Sequence, residues 1–252
     1  MYNDLLKIGP LMIHSYGLLI AIGIIAALLI GERRAVPKGL DGESLYTLTM
    51  VCVVGGILGA KILYVIVDWK EFLAHPLESL SVNGFVVYGG IIGGTLCAAL
   101  YCLWKKFYFW DYFDLVLPSV AVAQGFGRIG CFMAGCCYGR ATDAWYGIAF
   151  VHSNYAPNHV KMIPTQLISS AGMFLIAAVL MFYAKKSDKA GQVGALYLIL
   201  YSVGRFLVEF LRADYRGEVG PFSTSQFISL FILAAGIGIW IFRTKFAKKS
   251  RV

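Results

Sequence analysis

Long uncharged apolar runs alternate with short polar connections along this chain. The runs cover residues 13–31, 45–67, 85–104, 115–134, 167–184, 194–211 and 224–242. A bilayer core of about 30 Å takes roughly 20 apolar residues in helical form, and each run is close to that length. Membrane β-strands would read as short alternating segments, which continuous runs do not. Helices satisfy every backbone group within the segment, so the pattern predicts an all-α integral membrane protein of about seven transmembrane helices. The longest connection, at about 136–164, is predicted to be an outer-face interfacial loop, with Trp145, Tyr146 and Tyr155 suited to the headgroup level. No internal repeat or second domain stands out, so residues 1–252 read as one polytopic domain.

Composition agrees with the pattern. Of 252 residues, 59% are hydrophobic and 14% charged, and the mean hydropathy is +0.71. Soluble domains carry about 25% charged residues, so a disordered chain, a secreted disulfide scaffold and a water-soluble α/β enzyme are excluded. The formal net charge of +8 is mostly topology. Thirteen Lys and Arg fall in alternate connections and the C-terminal tail, and six fall on the opposite side. Lys61, Arg128 and Arg205 lie inside runs and complete the 22. The richer side is cytoplasmic, so the N-terminus is expected outside and the C-terminus in the cytoplasm. Basic residues divided among short loops do not make the single face that nucleic acid would need. The first run lacks a basic segment before it and is followed by Glu32-Arg33-Arg34. It is therefore expected to remain as an anchor rather than act as a signal peptide.

Charges within the runs carry the candidate chemistry, because ionisable groups at membrane depth are costly and mark sites or pathways. Tyr201, Arg205 and Glu209 recur every four residues and share one helix face. A structural ion pair between helices is the plain alternative. Arg128 sits among glycines in Gln124-Gly125-Phe126-Gly127-Arg128-Ile129-Gly130 with no carboxylate within a turn. Its planar fork suits a phosphate. Lys61 is a third cation, which could also snorkel to the interface. His14, at the outer end of the first run, is a candidate base, because imidazole is the side-chain type that ordinarily changes charge near neutral pH. An inert interfacial histidine is the duller reading.

Glycine clusters at Gly55-Gly56-x-x-Gly59, at Gly89-Gly90-x-x-Gly93-Gly94 and from Gly125 to Gly139. The first suits close helix packing; the other two adjoin polar residues, where glycine also lets a ligand approach the backbone. The spacing Cys131-x4-Cys136-Cys137 matches neither a zinc C-x2-C pair nor a thioredoxin-like C-x-x-C. A disulfide and buried thiols packing as small apolar groups both remain open.

The stretch Gly127-Arg128-Ile129-Gly130-Cys131-Phe132-Met133-Ala134-Gly135-Cys136-Cys137-Tyr138-Gly139-Arg140 resembles the signature of the prolipoprotein diacylglyceryl transferase family. So do Ile8-Gly9-Pro10 with His14-Ser15-Tyr16-Gly17, the Tyr88-Gly89-Gly90 segment, Pro164-Thr165-Gln166-Leu167, and Tyr201-x3-Arg205-x3-Glu209-Phe210-x-Arg212, in the family's order. The resemblance implies transfer of a diacylglyceryl group from phosphatidylglycerol to the lipobox cysteine of prolipoprotein signal peptides, in a bacterial cytoplasmic (inner) membrane. It implies membrane lipid as partner, and no organic cofactor or metal.

By the same resemblance Arg128 and Arg205 face the departing phosphate, with Tyr88 and His14 as further catalytic candidates. Tyr16, Gly89, Gly90, Gly139, Tyr201, Glu209 and Lys61 become candidate substrate-binding residues. Tyr88 stands where the family has histidine, Cys131 and Cys136 where asparagine and a carboxylate are common, and Ile163 where histidine is frequent. Two other functions fit parts of the pattern. An anion or lipid transporter could use the two arginines, although no inverted repeat appears. A thiol oxidoreductase could use Cys131, Cys136 and Cys137, although no C-x-x-C is present.

Overall fold

A computed structural model describes residues 4–8, 11–80, 84–214 and 217–246. Gly9 and Pro10 of the first motif, together with Arg216 and the basic tail from 247 onward, lie outside the described residues.

The chain opens with two antiparallel strands, β1 (Asp4–Ile8) and β2 (Leu11–His14), in register Lys7 to Met12 and Ile8 to Leu11. Ile13 and His14 thus belong to a strand, and the first membrane helix, α1 (Ser15–Ala35), starts after them. Arg33 and Arg34 occupy its last turn, where cations meet the negative end of the helix dipole. Pro37 and Gly39, the latter at φ +62, then turn the chain. Next come α2 (Gly42–Val67), the short α3 (Trp69–Ala74) and α4 (Pro76–Leu80), α5 (Val87–Trp104) and α6 (Phe109–Ala134). A loop containing the small antiparallel pair β3 (Ile148–Ala149) and β4 (Lys161–Met162) leads to α7 (Thr165–Ala184). α8 (Gln192–Glu209), the hairpin β5 (Glu218–Val219) with β6 (Phe222–Ser223), and α9 (Thr224–Phe246) complete the described chain.

Six helices among the described residues, α1, α2, α5, α6, α7 and α9, are long and apolar enough to cross a membrane. This is an integral membrane protein of helices. α8 has 18 residues but carries Gln192, Arg205 and Glu209.

Contacts divide the chain into two compact units, one of Glu32–Tyr112 and one of Met1–Gly31 with Phe113–Val252. In the first, α2 and α5 pack glycine on glycine. A Cβ on Gly59 would stand 2.4 Å from the Gly89 carbonyl oxygen, and one on Gly93 would stand 2.4 Å from that of Gly55. Lys61 Nζ donates to the carbonyls of Ser79 (2.7 Å) and Gly84 (3.2 Å) and lies 4.6 Å from the centre of the Phe85 ring.

The second unit is centred on Ala121, Val122, Met173, Ala177, Leu180, Val193 and Tyr197, contributed by α6, α7 and α8. Asp114 of α6 accepts from the Gly191 and Gly194 amides at 2.6 and 2.8 Å. It thereby satisfies amides that the start of α8 leaves unpaired. α9 begins with a reciprocal capping box: Gln226 N–H donates to Ser223 Oγ at 3.2 Å, and Ser223 N–H to Gln226 Oε1 at 3.1 Å. Large apolar side chains such as Ile25, Leu58, Leu100, Leu175 and Phe231 are exposed on the helices. In water such surface would drive association; in lipid it is the solvated face.

Candidate active site

Three helices of the second unit bring the candidate phosphate residues together. Arg128 on α6, Ser169 and Met173 on α7, and Tyr201, Gly204 and Arg205 on α8 line a cavity of about 70 Å³. The α6–α7 contact is tight there because Gly125 has no side chain. A Cβ would meet the Phe174 ring at 2.8 Å, and the Gly125 carbonyl accepts from Ser170 Oγ at 2.9 Å. Tyr201 stacks on Tyr197 at 5.7 Å, and Tyr197 donates its hydroxyl to Gln124 at 2.8 Å.

Arg205 is held on two sides. One terminal nitrogen donates to Ser225 Oγ of α9 at 2.7 Å, and the same nitrogen lies 2.8 Å from Glu209 Oε2. That carboxylate oxygen has ion-pair distance but not hydrogen-bond alignment, and it is buried. Arg212 Nε approaches it at 3.8 Å while making a two-pronged bond to Asp214, at 2.9 and 2.6 Å. Burial alone would lower the affinity of the Arg212 guanidinium for its proton, but Asp214 and then Cys137 outweigh it and raise the value. Among the described residues, no hydrogen bond or ion pair engages Arg128. Among the described residues, Arg205 and Arg212 pair with Glu209 and Asp214, and Arg128 adds a further cation on the cavity.

A larger cavity, of about 700 Å³, is lined by His14, Tyr16, Cys136, Cys137, Tyr155 and Asp214 among others. Tyr16 packs against the α6 backbone, where a Cβ on Gly130 would be 3.0 Å from its ring. Arg128 acts electrostatically on both Tyr16 and Cys131, so the two cavities share a field. The wall is zipped by backbone. Gly139 N–H donates to Ile163 O at 3.1 Å and Arg140 N–H to Leu211 O at 2.9 Å, and Gly139 bridges Arg212.

The sulfurs of Cys131, Cys136 and Cys137 lie within 4.8 Å of one another, and no disulfide joins the described cysteines. Hydrogen bonds with Cys131 and Cys137, then burial, push the Cys136 thiol far up. It keeps its proton at neutral pH. Among the described residues, this is a donor set whose spacing could hold a metal ion.

A family model described as prolipoprotein diacylglyceryl transferase matches residues 3–242. The chain is 48% identical over 240 residues to the phosphatidylglycerol–prolipoprotein diacylglyceryl transferase of Clostridium tetani (strain Massachusetts / E88), covering 94% of this chain and 95% of that one. It is 48% identical over 233 residues to phosphatidylglycerol–prolipoprotein diacylglyceryl transferase 2 of Clostridium perfringens (strain 13 / Type A), with 92% and 91% covered. A relative of the same description in Prochlorococcus marinus (strain NATL1A) is 33% identical, with 94% and 89% covered.

The chain belongs to the prolipoprotein diacylglyceryl transferase family.

In this family member the residues singled out from sequence fall into three groups. Arg128, Tyr201, Arg205 and Glu209 lie at or beside the small cavity, and His14 and Tyr16 at the large one. Gly139 supports the wall, since a Cβ there would be 2.6 Å from the Ile163 carbonyl oxygen. Lys61, Tyr88, Gly89 and Gly90 belong to the other unit. There Gly89 and Gly90 pack on Gly59 and Gly56 of α2, so the two glycine clusters are each other's partners. Lys61 holds the carbonyls of Ser79 and Gly84, while Tyr88 stands half-buried in the first turn of α5. Ser225, Asp214 and Gln124 are neighbours of the site that were not singled out from the sequence, Gln124 appearing there only in the segment around Arg128. Asp214 had a readable signal, a carboxylate two positions past Arg212, whereas Ser225 and Gln124 are brought in only by helix packing.

Proposed function

We propose that this protein transfers the diacylglyceryl group of phosphatidylglycerol to the cysteine thiol of a prolipoprotein lipobox, forming a thioether and releasing glycerol phosphate. The observation that carries the reading is the meeting of Arg128 and Arg205 on one cavity, from two helices, with Tyr201 in the same lining. In the reaction an S–C bond forms at the glycerol carbon as the C–O bond to phosphate breaks. The leaving phosphate gains charge and the thiol loses a proton. Two guanidiniums already in place stabilise that growing charge without reorganising. Their field also favours the attacking thiolate, whose thiol has an ordinary pKa near 8.5. His14, on the large cavity beside Tyr16, is the base candidate; Tyr88 offers a phenol, a weaker kind of base than an imidazole. The side chains named supply this chemistry without an organic cofactor.

Seven spans fit this reading, with α8 as the seventh. At about 1.5 Å per residue its 18 residues reach roughly 27 Å. The whole chain then acts as one polytopic domain of a bacterial cytoplasmic membrane, N-terminus outside and C-terminus inside, and the loop at about 136–164 lies on the outer face with the acceptor peptide.

The test uses purified protein in phosphatidylglycerol vesicles with a lipobox peptide. The expected result is a peptide heavier by one diacylglyceryl group on its cysteine, with glycerol phosphate released in equal amount. An unmodified peptide, under conditions in which a known family member works, overturns the reading.

A further inference from the structure

A built turn gathers the thiol cluster. Cys131 lies in the last part of α6, and the chain reverses through Gly135 at φ +73 and Cys137 at φ +62. The reversal carries Cys136 back over the helix end, where its N–H donates to Cys131 O at 3.1 Å. Three outside groups hold the turn. Gln166 Nε2 donates to Cys136 O at 2.7 Å, Thr165 Oγ1 to Cys137 O at 2.8 Å, and Ser153 Oγ to Gly135 O at 3.4 Å. A non-glycine residue in the left-handed region is uncommon, and here it directs the third sulfur to the other two. The transfer reaction uses none of these thiols, because its nucleophile is the acceptor's own cysteine.

We propose that Cys131, Cys136 and Cys137 form a binding site for one thiophilic divalent ion of the Zn²⁺ type, and that occupancy of this site inhibits transfer. All-sulfur donors select soft or borderline ions over Mg²⁺ and Ca²⁺. With Zn–S bonds of about 2.3 Å, three thiolates around one ion stand roughly 4 Å apart. Sulfurs that already lie within 4.8 Å of one another need only a small closure. Binding forms three metal–sulfur bonds and releases three thiol protons to solvent. The ion removes the mutual repulsion that keeps crowded thiols protonated, and Arg212 beside Cys137 and Arg128 near Cys131 stabilise the sulfurs as they become thiolates. Cys136 and Cys137 line the 700 Å³ cavity, which gives the ion a route in and leaves its fourth position facing that space. The bound ion would stand on the wall shared with His14 and Tyr16, where it competes with the acceptor. The inhibition rests on the proposed transferase activity; the binding site does not.

Cd²⁺ titration of the reduced, purified protein tests the site by its ultraviolet thiolate-to-cadmium band. The expected band saturates at one ion per chain, and Zn²⁺ displaces it. Each of Cys131→Ser, Cys136→Ser and Cys137→Ser weakens binding by more than the roughly 10–100-fold typical of losing an outer-shell partner. Cys97→Ser, in the other unit, leaves binding unchanged. Should a serine variant fail to fold, maleimide labelling of the wild type decides instead: bound Cd²⁺ protects Cys136 and Cys137. No equimolar band, or unprotected labelling, overturns the site. In the transfer assay Zn²⁺ abolishes activity and a chelator restores it. A band with unaffected transfer overturns the inhibition alone, and a protein without transfer activity still shows the band if the site is right.

Discussion

At the scale of single residues, the two arginines of the small cavity differ in how they are held. Arg205 is fixed between Ser225 and Glu209, so its fork is oriented before any ligand arrives. Arg128, on α6, is engaged by no hydrogen bond or ion pair among the described residues. A half-buried guanidinium at membrane depth, so placed, is matched to an anion that comes and goes. Arg128→Gln and Arg205→Gln are each expected to lower kcat for thioether formation by at least roughly 10²–10³-fold, the effect of removing one preorganised donor from developing charge. Arg205→Lys should rescue little. An ammonium is a point charge and cannot engage Ser225, Glu209 and a phosphate with the geometry of the fork. Measuring kcat at saturating phosphatidylglycerol checks both; near-wild-type turnover in either glutamine variant removes that arginine from the chemistry. Both arginines were legible in the sequence because charge is rare inside apolar runs. Ser225 was not, since one hydroxyl in a helix says nothing until packing aims it.

At the scale of elements, identical substitutions acquire opposite signs from their surroundings. In α2, an alanine Cβ at Gly59 would press on the Gly89 carbonyl oxygen at 2.4 Å and on the Gly93 Cα at 2.9 Å. Backbone atoms cannot yield as a flexible side chain can, so α2 and α5 must separate. Overpacking of this kind costs about 1–3 kcal/mol. In α9, by contrast, nothing lies within 4 Å of a Cβ at Gly238. Alanine there gains up to about 1 kcal/mol of helix propensity. Thermal unfolding in detergent should therefore show Gly59→Ala melting lower than wild type and Gly238→Ala melting at or above it; the reverse order refutes the packing argument. The helices themselves were legible because their apolar runs are long, and their observed ends fall within a few residues of the predicted ones except where α6 extends back to Phe109. What binds the ends was legible only when local. The Ser223-x-x-Gln226 box of α9 can be read in place, but the acceptor for the start of α8 is Asp114, 77 residues away from Gly191. The β1–β2 hairpin escaped notice because its strands, of five and four residues, are short and lie directly before a long apolar helix. For the glycines the pattern showed close packing at one cluster and left the other's partner open; the structure pairs them.

At the scale of the whole molecule, span number and charge asymmetry constrain each other through parity. With the N-terminus outside, six crossings return the C-terminus to the outside, and seven leave it in the cytoplasm. The last helix ends with Arg243 and Lys245, followed by Lys248, Lys249 and Arg251. Such a cluster next to a membrane helix is retained on the cytoplasmic side and attracted by anionic headgroups. That favours an odd number of crossings, and on the proposed seven-span reading α8 is the helix that would make it odd. Its polar residues do not forbid a crossing, because Arg205 and Glu209 pair with each other and Gln192 is buried among protein groups. Ionisable residues in a span are expected to face the bundle in this way. A green fluorescent protein fused after Val252 should therefore fluoresce, since it folds in the cytoplasm, while an alkaline phosphatase fused after Trp145 should be active outside. Trp145, 92% exposed in the loop between α6 and α7, is well placed for that junction. Truncation within the loop before α8, after Asp188, should give a fluorescent fusion, because five crossings also end inside. Truncation after Asp214 should give a dark fusion with active phosphatase. The Asp214 pair isolates α8 from every other helix: a fluorescent Asp214 fusion would make α8 a non-crossing element and leave Arg205 and Glu209 outside any span.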